Sequence, residues 1–276
     1  MADRDPHEYE GKVVFVAGGS SGLGLSIGQD FAARGAKVAL MSRSEERVQA
    51  AVATIDTTGE RAIGLVADVR DYAAVEAAIA TAAETFGPID VVVSGAAGNF
   101  LAPALGMSAN AFKSVIDIDL LGTFNVLRAS FAHLNTPGAS LIVISSPQGQ
   151  RSAMFQAHAC AAKAGINMLV QCLAMEWGPA GVRVNAISPG PVVGTEGMAR
   201  LTPTPEDEDF FKSRLALRDY CQPEDVSDVA VFLAGPQSRY ITGTIVDVDG
   251  GARLGDSSAD AVTVTSRESA TASFRI

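Results

Sequence analysis

Two charged residues of this sequence, Asp119 and Lys163, lie at positions where the hydrophobic pattern predicts apolar residues. Asp119 follows Ile116, Val115 and Phe112 by three, four and seven residues, so a helix would place it on its apolar stripe. Lys163 occupies a comparable position on an apolar helical face further along the chain. A buried carboxylate or ammonium is costly unless it is paired, so we expect these two side chains to meet. Such a pair can take part in proton transfer, or it can be a structural salt bridge that supports a neighbouring contact.

A glycine-rich turn follows the first predicted strand and precedes a predicted helix. Glycines at such a turn let the backbone approach a ligand closely, and the N-terminus of the next helix attracts a phosphate group. The order strand, turn and helix is typical of dinucleotide binding, whereas a glycine-rich pattern elsewhere would indicate only a turn. The predicted pyrophosphate contacts are Gly18, Ser20, Ser21, Gly22, Leu23 and Gly24.

The end of the second predicted strand indicates which dinucleotide is bound. An acidic residue there would hold the ribose hydroxyl of NAD, but this chain has Ser42 and Arg43, with Arg47 a turn later. The donor fork of an arginine matches a phosphate group, so NADPH is the predicted cofactor, although Arg43 could be a solvated loop residue. Asp68 and Val69 end the third strand and are predicted to contact adenine. Asp68 could alternatively cap the following helix.

These motifs are connected by short β-branched runs that alternate with longer segments of helical period. The predicted strands are Val13–Ala17, Lys37–Met41, Ala62–Val66, Asp90–Ser94, Leu141–Ser145, Arg183–Ile187 and Ile245–Val248. The predicted helices cover about residues 22–34, 45–56, 72–86, 109–134, 157–178 and 224–234. Nearly continuous apolar strands separated by helices indicate a parallel sheet that is covered on both faces. The predicted fold class is therefore α/β, with a single doubly wound, Rossmann-type sheet of about seven strands.

One domain is expected for residues 1–276, because this length suits a single α/β unit. Residues 192–222 form a connection of unusual length that contains two glycines and two prolines. They are predicted to form a lid over the site, the alternative being a plain surface excursion. Residues 255–276, which are rich in Ser, Thr and Ala, are predicted to form a C-terminal tail or strap.

The composition limits the classes of partner and the location. The chain has 21 basic and 31 acidic residues, and because a net charge of −10 repels phosphate backbones, no nucleic acid is expected as a partner. The charged first ten residues argue against a secretory signal, and no apolar run reaches the length of a membrane span. Cys160, Cys172 and Cys221 indicate free thiols and no metal site. A cytoplasmic protein without a membrane partner is predicted.

The chain resembles the short-chain dehydrogenase/reductase family over about residues 10–251. The resemblance rests on the glycine-rich turn, Asp68, Ser146, Lys163, Asn185, Pro189 and Gly190. It implies that Ser146 orients a substrate carbonyl and that Lys163 holds the nicotinamide ribose. It also adds Gly95, Ala96, Pro189 and Gly190 to the expected cofactor contacts.

Three places depart from the family pattern. Ala159, four residues before Lys163, stands where the family has a tyrosine that protonates a carbonyl oxygen. Asp119 replaces a helix asparagine that anchors a water relay, and residues 94–98 replace the usual paired asparagines. The missing tyrosine implies either that another group delivers the proton or that catalysis has been lost.

At these positions the sequence is similar to the 2,4-dienoyl-CoA reductases, especially the peroxisomal type. The matching runs are Gly95–Phe100, Asp117–Asp119, His158 and Ala159 with Lys163, and Gly190–Gly197. In that subfamily an aspartate, a lysine and a bound water replace the tyrosine, which implies this role for Asp119 and Lys163. The chain ends in Phe274, Arg275 and Ile276, which is not a peroxisomal address, so the organelle is not expected to carry over.

The candidate substrate contacts are Asn99, Phe100, Arg151, His158 and Thr195. Asn99 and Ser146 are expected to donate to a thioester oxygen, whereas Arg151 either meets the CoA phosphates or lies on a solvated basic face. His158 is a possible substrate contact but could equally be a packed histidine. The helix near 157–178 is apolar almost all round, and the family resemblance implies a homotetramer built around it.

The combined features favour an NADPH-dependent reductase of a conjugated dienoyl thioester, with an acyl-CoA as the small-molecule partner. Hydride addition would leave a dienolate that is protonated on carbon by water held between Asp119 and Lys163. One alternative is an NADPH-dependent reductase of a ketone, steroid or 3-oxoacyl group that uses Ser146 and another acid. A second alternative is a non-catalytic NADPH-binding scaffold.

Overall fold

The computed structural model describes residues 5–195, 198 and 202–259. The strands are β1 Val13–Ala17, β2 Lys37–Ser42, β3 Ala62–Val66, β4 Val91–Ser94, β5 Ser140–Ile144, β6 Arg183–Pro189 and β7 Ile245–Val248. All neighbours pair in parallel in the order β3-β2-β1-β4-β5-β6-β7. The predicted single sheet is confirmed. Strands β1, β3 and β7 have the predicted bounds, and the others differ by one or two residues at an end.

Apart from one helix within the predicted lid, which the sequence analysis does not predict, the helices are also close to those predicted. They are α1 Gly22–Ala33, α2 Glu45–Ala53, α3 Tyr72–Phe86, α4 Ala109–Val115, α5 Gly122–Ser130, α6 Ala157–Trp177, α7 Pro205–Lys212 and α8 Pro223–Ala234. A π-helical turn, Ile116–Leu121, joins α4 to α5 where a single regular helix is predicted. Among the described residues, no helix has the length and hydropathy that would let it cross a bilayer.

Alternate side chains of each strand pack on opposite faces of the sheet, which places a layer of helices on both sides. In β1, Phe15 belongs to one apolar cluster, which includes side chains of α3, α5 and α6. Val14 and Val16 belong to the other cluster, which includes side chains of α1, α2 and α8. This two-sided burial explains why the strand sequences are apolar throughout rather than alternating.

The strand order reverses between β1 and β4. From β1 the chain proceeds outward to β2 and β3, then returns to the opposite side of β1 to form β4 and the remaining strands. The loops after β1 and β4 therefore leave in opposite directions and open a crevice at the carboxyl ends of the strands. Ligands of doubly wound proteins bind in such a crevice, and the candidate site lies there.

The predicted lid, residues 192–222, begins and ends side by side. A parallel bridge joins Val192 to Cys221, and the backbone N–H of Cys221 donates to the Pro191 carbonyl at 2.9 Å. Helix α7 lies within the segment, and Met198, Leu215 and Tyr220 form a small cluster with Ala252. Residues 196, 197 and 199–201 of the predicted lid and 260–276 of the predicted tail lie outside the described residues.

Candidate active site

A cleft of about 790 Å³ lies at the carboxyl ends of the strands and contains most of the predicted site residues. The predicted residues that line it are Gly18, Ser20, Ser21, Leu23, Gly24, Ser42, Arg43, Arg47, Asp68, Val69, Gly95, Ala96, Asn99, Asp119, Ser146, Arg151, Lys163, Pro189, Gly190 and Thr195. Residues from six different loops thus meet in one place. The predicted contacts Gly22, Phe100 and His158 are not among the residues that line it.

The glycine-rich turn after β1 packs so closely that two of its positions exclude a side chain. Gly18 has φ +82°, and a β-carbon there would lie 2.7 Å from the backbone nitrogen of Ala96 in the loop after β4. A β-carbon on Gly24 would lie 2.2 Å from the Gly18 carbonyl oxygen. The turn therefore brings the N-terminus of α1 against the mouth of the cleft, where its free N–H groups favour a phosphate.

Gly24→Ala is expected to destabilise the turn by about 1–3 kcal/mol and to weaken NADPH binding at least about tenfold, because the methyl group overlaps the Gly18 carbonyl. Gly178→Ala is the matched control, since Gly178 has helical φ and its added β-carbon would meet no atom within 4 Å. Thermal unfolding and NADPH titration of both variants measure the two effects. Normal NADPH affinity in Gly24→Ala would show that the turn does not approach the cofactor.

One end of the cleft is lined by basic side chains. Arg43 and Arg47 both border it, and Arg47 Nη2 donates to Ser21 Oγ at 3.2 Å. Asp68 accepts two hydrogen bonds from the Arg70 guanidinium, at 3.0 Å from Nε and 2.6 Å from Nη2. These bonds from Arg70, with the nearby charge of Arg43, lower the pKa of the Asp68 carboxyl. Asp68 is thus held ionised as an acceptor beside two arginines, an arrangement suited to an adenine amino group beside an anion.

The buried pair expected between Asp119 and Lys163 is present. The two side chains are 2% and 9% exposed, and Lys163 Nζ lies 3.4 Å from Asp119 Oδ2. Lys163 Nζ also donates to the Ile144 carbonyl at 3.0 Å, and Asp119 Oδ1 accepts from the Gly98 backbone N–H at 2.8 Å. Both charges are therefore compensated in the protein interior, while both residues border the cleft.

Asp119 is carried by the π-helical turn between α4 and α5. π-Helical turns are rare, and they occur frequently at functional sites because they change the direction in which a side chain projects. Close packing follows the turn, since a β-carbon on Gly122 would lie 2.6 Å from Val69 Cγ2. The turn places the Asp119 carboxylate against the loop after β4, where it reaches Gly98.

The two serines at the end of β5 have different partners. Ser145 is buried, and its hydroxyl donates to Asn167 Oδ1 at 2.6 Å, so it is committed to the interior. Ser146 is partly exposed and lines the cleft. Among the described residues, none forms a hydrogen bond with the Ser146 side chain, which leaves its hydroxyl available to a ligand.

Ala159 occupies the cleft wall four residues before Lys163, on the first turn of α6. It is 4% exposed, and its methyl group offers no proton. Of the polar groups near this wall, Lys163, Asp119 and Ser146 are those that the sequence assigns to chemistry. The cleft therefore has a buried carboxylate and a buried lysine beside Ala159, where the family pattern has a phenol.

Phe100 and His158 lie together behind this wall instead of lining the cleft. Their rings stack with centroids 4.3 Å apart and an interplanar angle of 28°, and His158 is fully buried. Among the described residues, neither ring nitrogen of His158 has a hydrogen-bond partner. The structure thus places His158 as a packed side chain that supports the loop after β4.

Sequence reasoning did not identify two amides near this loop. Gln148 lines the cleft, and Gln156, at the start of α6, accepts from Asn99 Nδ2 at 2.9 Å. Arg70 was also missed, although it is two residues from Asp68, where side chains on a tight turn can meet. An amide carries no charge signal in a sequence, so its role becomes visible only when its neighbours are known.

Comparison with known proteins agrees with this fold and cleft. A family model described as Enoyl-(Acyl carrier protein) reductase matches residues 17–253. The chain is 39% identical over 248 residues to a peroxisomal 2,4-dienoyl-CoA reductase [(3E)-enoyl-CoA-producing] of Rattus norvegicus, covering 89% of this chain and 85% of the relative. It is 38% identical to the short-chain reductase protein NovJ of Streptomyces niveus, covering 87% and 93% of the two chains.

Solved structures share the architecture. A short chain dehydrogenase from Burkholderia cenocepacia, crystallised in complex with NADP, superposes with a TM-score of 0.82 at 32% identity. The superposition covers 89% of this chain and 99% of that one. The family-model match over residues 17–253 and the shared architecture show that the chain belongs to the short-chain dehydrogenase/reductase family of oxidoreductases.

Proposed function

We propose that this protein is an NADPH-dependent reductase of 2,4-dienoyl thioesters, with coenzyme A as the carrier. The observation that carries the proposal is the buried Asp119–Lys163 pair, which lines the cleft beside Ala159. The sequence similarity to peroxisomal 2,4-dienoyl-CoA reductases supports the same substrate class. Together these features favour reduction of a conjugated carbon chain over reduction of a simple carbonyl group.

The cofactor fits the residues present. The family binds a nicotinamide dinucleotide, and the Gly18–Gly24 turn packs tightly at the mouth of the cleft, because a β-carbon at Gly18 or Gly24 would clash with backbone. Arg43 and Arg47 supply the charge that a ribose phosphate requires, and Asp68 supplies an acceptor for adenine. When bound, NADPH supplies a hydride to the far end of the conjugated dienoyl thioester.

Arg43→Ala is expected to weaken NADPH binding about 10-fold to 100-fold and to change NADH binding by less than about twofold, because a charge-assisted contact with the phosphate is lost. Fluorescence titration with each dinucleotide measures both affinities. Arg61→Ala is the control, since Arg61 is exposed and precedes β3 at the opposite end of the sheet. Unchanged NADPH affinity in Arg43→Ala would remove the case for phosphate recognition by this residue.

The reaction then requires the protein to stabilise charge on oxygen and to deliver a proton to carbon. Negative charge develops on the thioester oxygen as the dienolate forms, and we assign the donors to it as Ser146 and Asn99, which line the cleft from different loops. A water held between Asp119 and Lys163 protonates the dienolate on carbon, and the Lys163 ammonium returns a proton to the hydroxide that is left. Asp119 then takes up a proton from solvent and passes it to Lys163. No step in this route needs a phenolic hydroxyl.

A ketone offers no comparable route. Its reduction places the charge on an oxygen that must itself be protonated, which is the task of the tyrosine that Ala159 replaces. Conjugation moves the site of protonation onto carbon, within reach of an ordered water. The loss of the tyrosine and the gain of a buried aspartate are therefore explained by one change of substrate class.

The test is NADPH oxidation with a 2,4-dienoyl-CoA, run beside a 3-oxoacyl-CoA and a simple ketone. Turnover of the dienoyl substrate alone is the expected result. Turnover of only the carbonyl substrates would favour a carbonyl reductase that uses Ser146 with another acid. Binding of NADPH without turnover of any of the three would favour a non-catalytic scaffold. The homotetramer and the cytoplasmic location stay predictions, to be checked by light scattering and by fractionation of cells.

A further inference from the structure

One acceptor atom, Gln156 Oε1, collects two side-chain amides from different loops. It accepts from Asn99 Nδ2 at 2.9 Å and from Gln148 Nε2 at 3.4 Å. Asn99 belongs to the loop after β4, and Gln148 belongs to the short helical turn after β5. An amide oxygen has two lone pairs, so these two bonds use its full accepting capacity. The Asn99 and Gln148 amides are thereby both bound to one oxygen atom.

Each of the two amides has a second N–H, and among the described residues none accepts from it. A primary amide carries two N–H groups, and each side chain gives one of them to Gln156. Asn99 and Gln148 both line the cleft, together with Ser146 and Lys163. The cleft therefore has two further amide donors whose nitrogens are fixed relative to each other by Gln156.

Gln156 itself has little freedom to move. It is 8% exposed, and its backbone carbonyl accepts from the Cys160 N–H at 2.8 Å at the start of α6. The two loops are also tied directly, because the Ala102 N–H donates to the Phe155 carbonyl at 2.9 Å. Beneath the loop after β4, Phe100 is stacked on the buried His158 ring. The acceptor is thus built into a rigid junction between the loops.

The geometry points to Gln148 as a further catalytic residue, which donates with Asn99 to the oxygen of the substrate thioester, and to Gln156 as the residue that positions both. This inference rests on the proposed dienoyl thioester reduction. A dienolate oxygen has three lone pairs, so it can accept from Asn99, Gln148 and Ser146 together. Each amide meets the oxygen with its second N–H while its first N–H stays on Gln156, so the donors are already aligned when the charge develops.

Kinetics of three variants test the assignment. Gln148→Leu removes one donor, and Gln156→Leu removes the acceptor that aligns both donors, so each is expected to lower kcat about 10-fold to 100-fold. The KM for NADPH is expected to stay within about twofold of the parent, because neither side chain lies among the dinucleotide contacts. Gln148→Glu puts a negative charge beside the oxygen and is expected to be slower than Gln148→Leu.

Gln150→Leu is the matched control. Gln150 lies two residues from Gln148 on the same turn, but it is exposed, binds Asp247 at 2.6 Å and is not among the residues that line the cleft. Its replacement is expected to leave kcat within about twofold of the parent. Gln148→Leu is expected to lower kcat by a smaller factor in the Gln156→Leu variant than in the parent, because the effects of residues that act as one unit are not additive.

Infrared spectroscopy of a bound dienoyl-CoA, labelled with carbon-13 at the thioester carbonyl, gives a readout that a structural role would not move. In the complex with oxidised cofactor, the carbonyl band is expected to lie at lower frequency than in water and to shift back in Gln148→Leu and Gln156→Leu. If the parent reduces the dienoyl-CoA but Gln148→Leu changes neither kcat nor the carbonyl band, the inference is overturned and the proposed function stands. A parent that neither binds nor reduces the dienoyl-CoA would overturn the proposed function, and this inference with it.

Discussion

Asp119→Asn is expected to lower kcat with a 2,4-dienoyl-CoA by about 100-fold to 10,000-fold. Asparagine matches the shape of aspartate and can still accept from the Gly98 N–H, which Asp119 Oδ1 now does at 2.8 Å. It cannot, however, take up and return a proton, so the water between residues 119 and 163 is no longer resupplied with one. The KM for NADPH is expected to change by less than about threefold, since the cofactor contacts are untouched.

Steady-state kinetics and NADPH titration of the purified variant measure these effects. Asp117→Asn is the matched control, because Asp117 lies on the same π-helical turn but pairs with the exposed Lys113. It is expected to keep nearly the parent rate. A near-normal rate in Asp119→Asn would contradict the proposed water relay and identify the buried pair as a structural salt bridge. Retention of NADPH binding in the variant shows that any loss of rate is not a loss of fold.

Product analysis in heavy water separates carbon protonation from protonation of a carbonyl oxygen. If Asp119 and Lys163 deliver a solvent-derived proton to carbon, the parent enzyme places one non-exchanging deuterium on the acyl chain. An alcohol product, by contrast, would carry exchangeable deuterium only on its hydroxyl group. This distinction holds even for the slow Asp119→Asn variant, because it depends on the position of the label and not on the rate.

The sheet could be predicted from the sequence because its evidence is local. Strands buried on both faces are apolar throughout, as in Val13–Ala17, and each is bounded by a turn or a helix of clear period. Helix α7 was missed although its signals are present. Thr204 caps it by accepting from the Asp207 N–H, Pro205 is its first residue, and Lys212 ends it. The sequence analysis predicts only a lid for this segment.

The π-helical turn, in contrast, could not have been predicted. Its residues, Ile116–Leu121, have an ordinary helical pattern, and the turn is associated with tertiary contacts of Asp119 with Gly98 and of Gly122 with Val69. The same limit applies within the site. A buried charge must find a partner, so the Asp119–Lys163 pair follows from the sequence pattern.

A neutral side chain carries no such requirement. The prediction that Phe100 and His158 contact substrate stays a prediction, and in the structure the half-buried Phe100 ring stacks on the buried His158 ring outside the cleft lining. The side chains of adjacent residues in α6 point in different directions, since Ala159 lines the cleft and His158 does not. Which of two adjacent residues faces a ligand depends on how the helix docks, and that is a tertiary property.

Lys163→Ala is expected to have the largest effect, because one side chain serves two tasks. Its ammonium pairs with Asp119 Oδ2 at 3.4 Å in the interior, and the family pattern assigns it a contact with the nicotinamide ribose. Loss of both should reduce kcat/KM by about 1,000-fold or more, with weaker NADPH binding as part of the loss. Lys113→Ala, which removes the exposed partner of Asp117, is the control and should remain close to the parent.

Stability separates the two roles of Lys163. Its removal leaves the Asp119 carboxylate buried without a counter-charge, which costs about 3–5 kcal/mol of unfolding free energy. Adding Asp119→Asn removes that charge, so the double variant should unfold at higher denaturant concentration than Lys163→Ala while remaining as inactive. Recovery of stability without recovery of turnover would mean that the pair is retained for chemistry. Recovery of both would contradict that role, because a neutral pair has no proton to give.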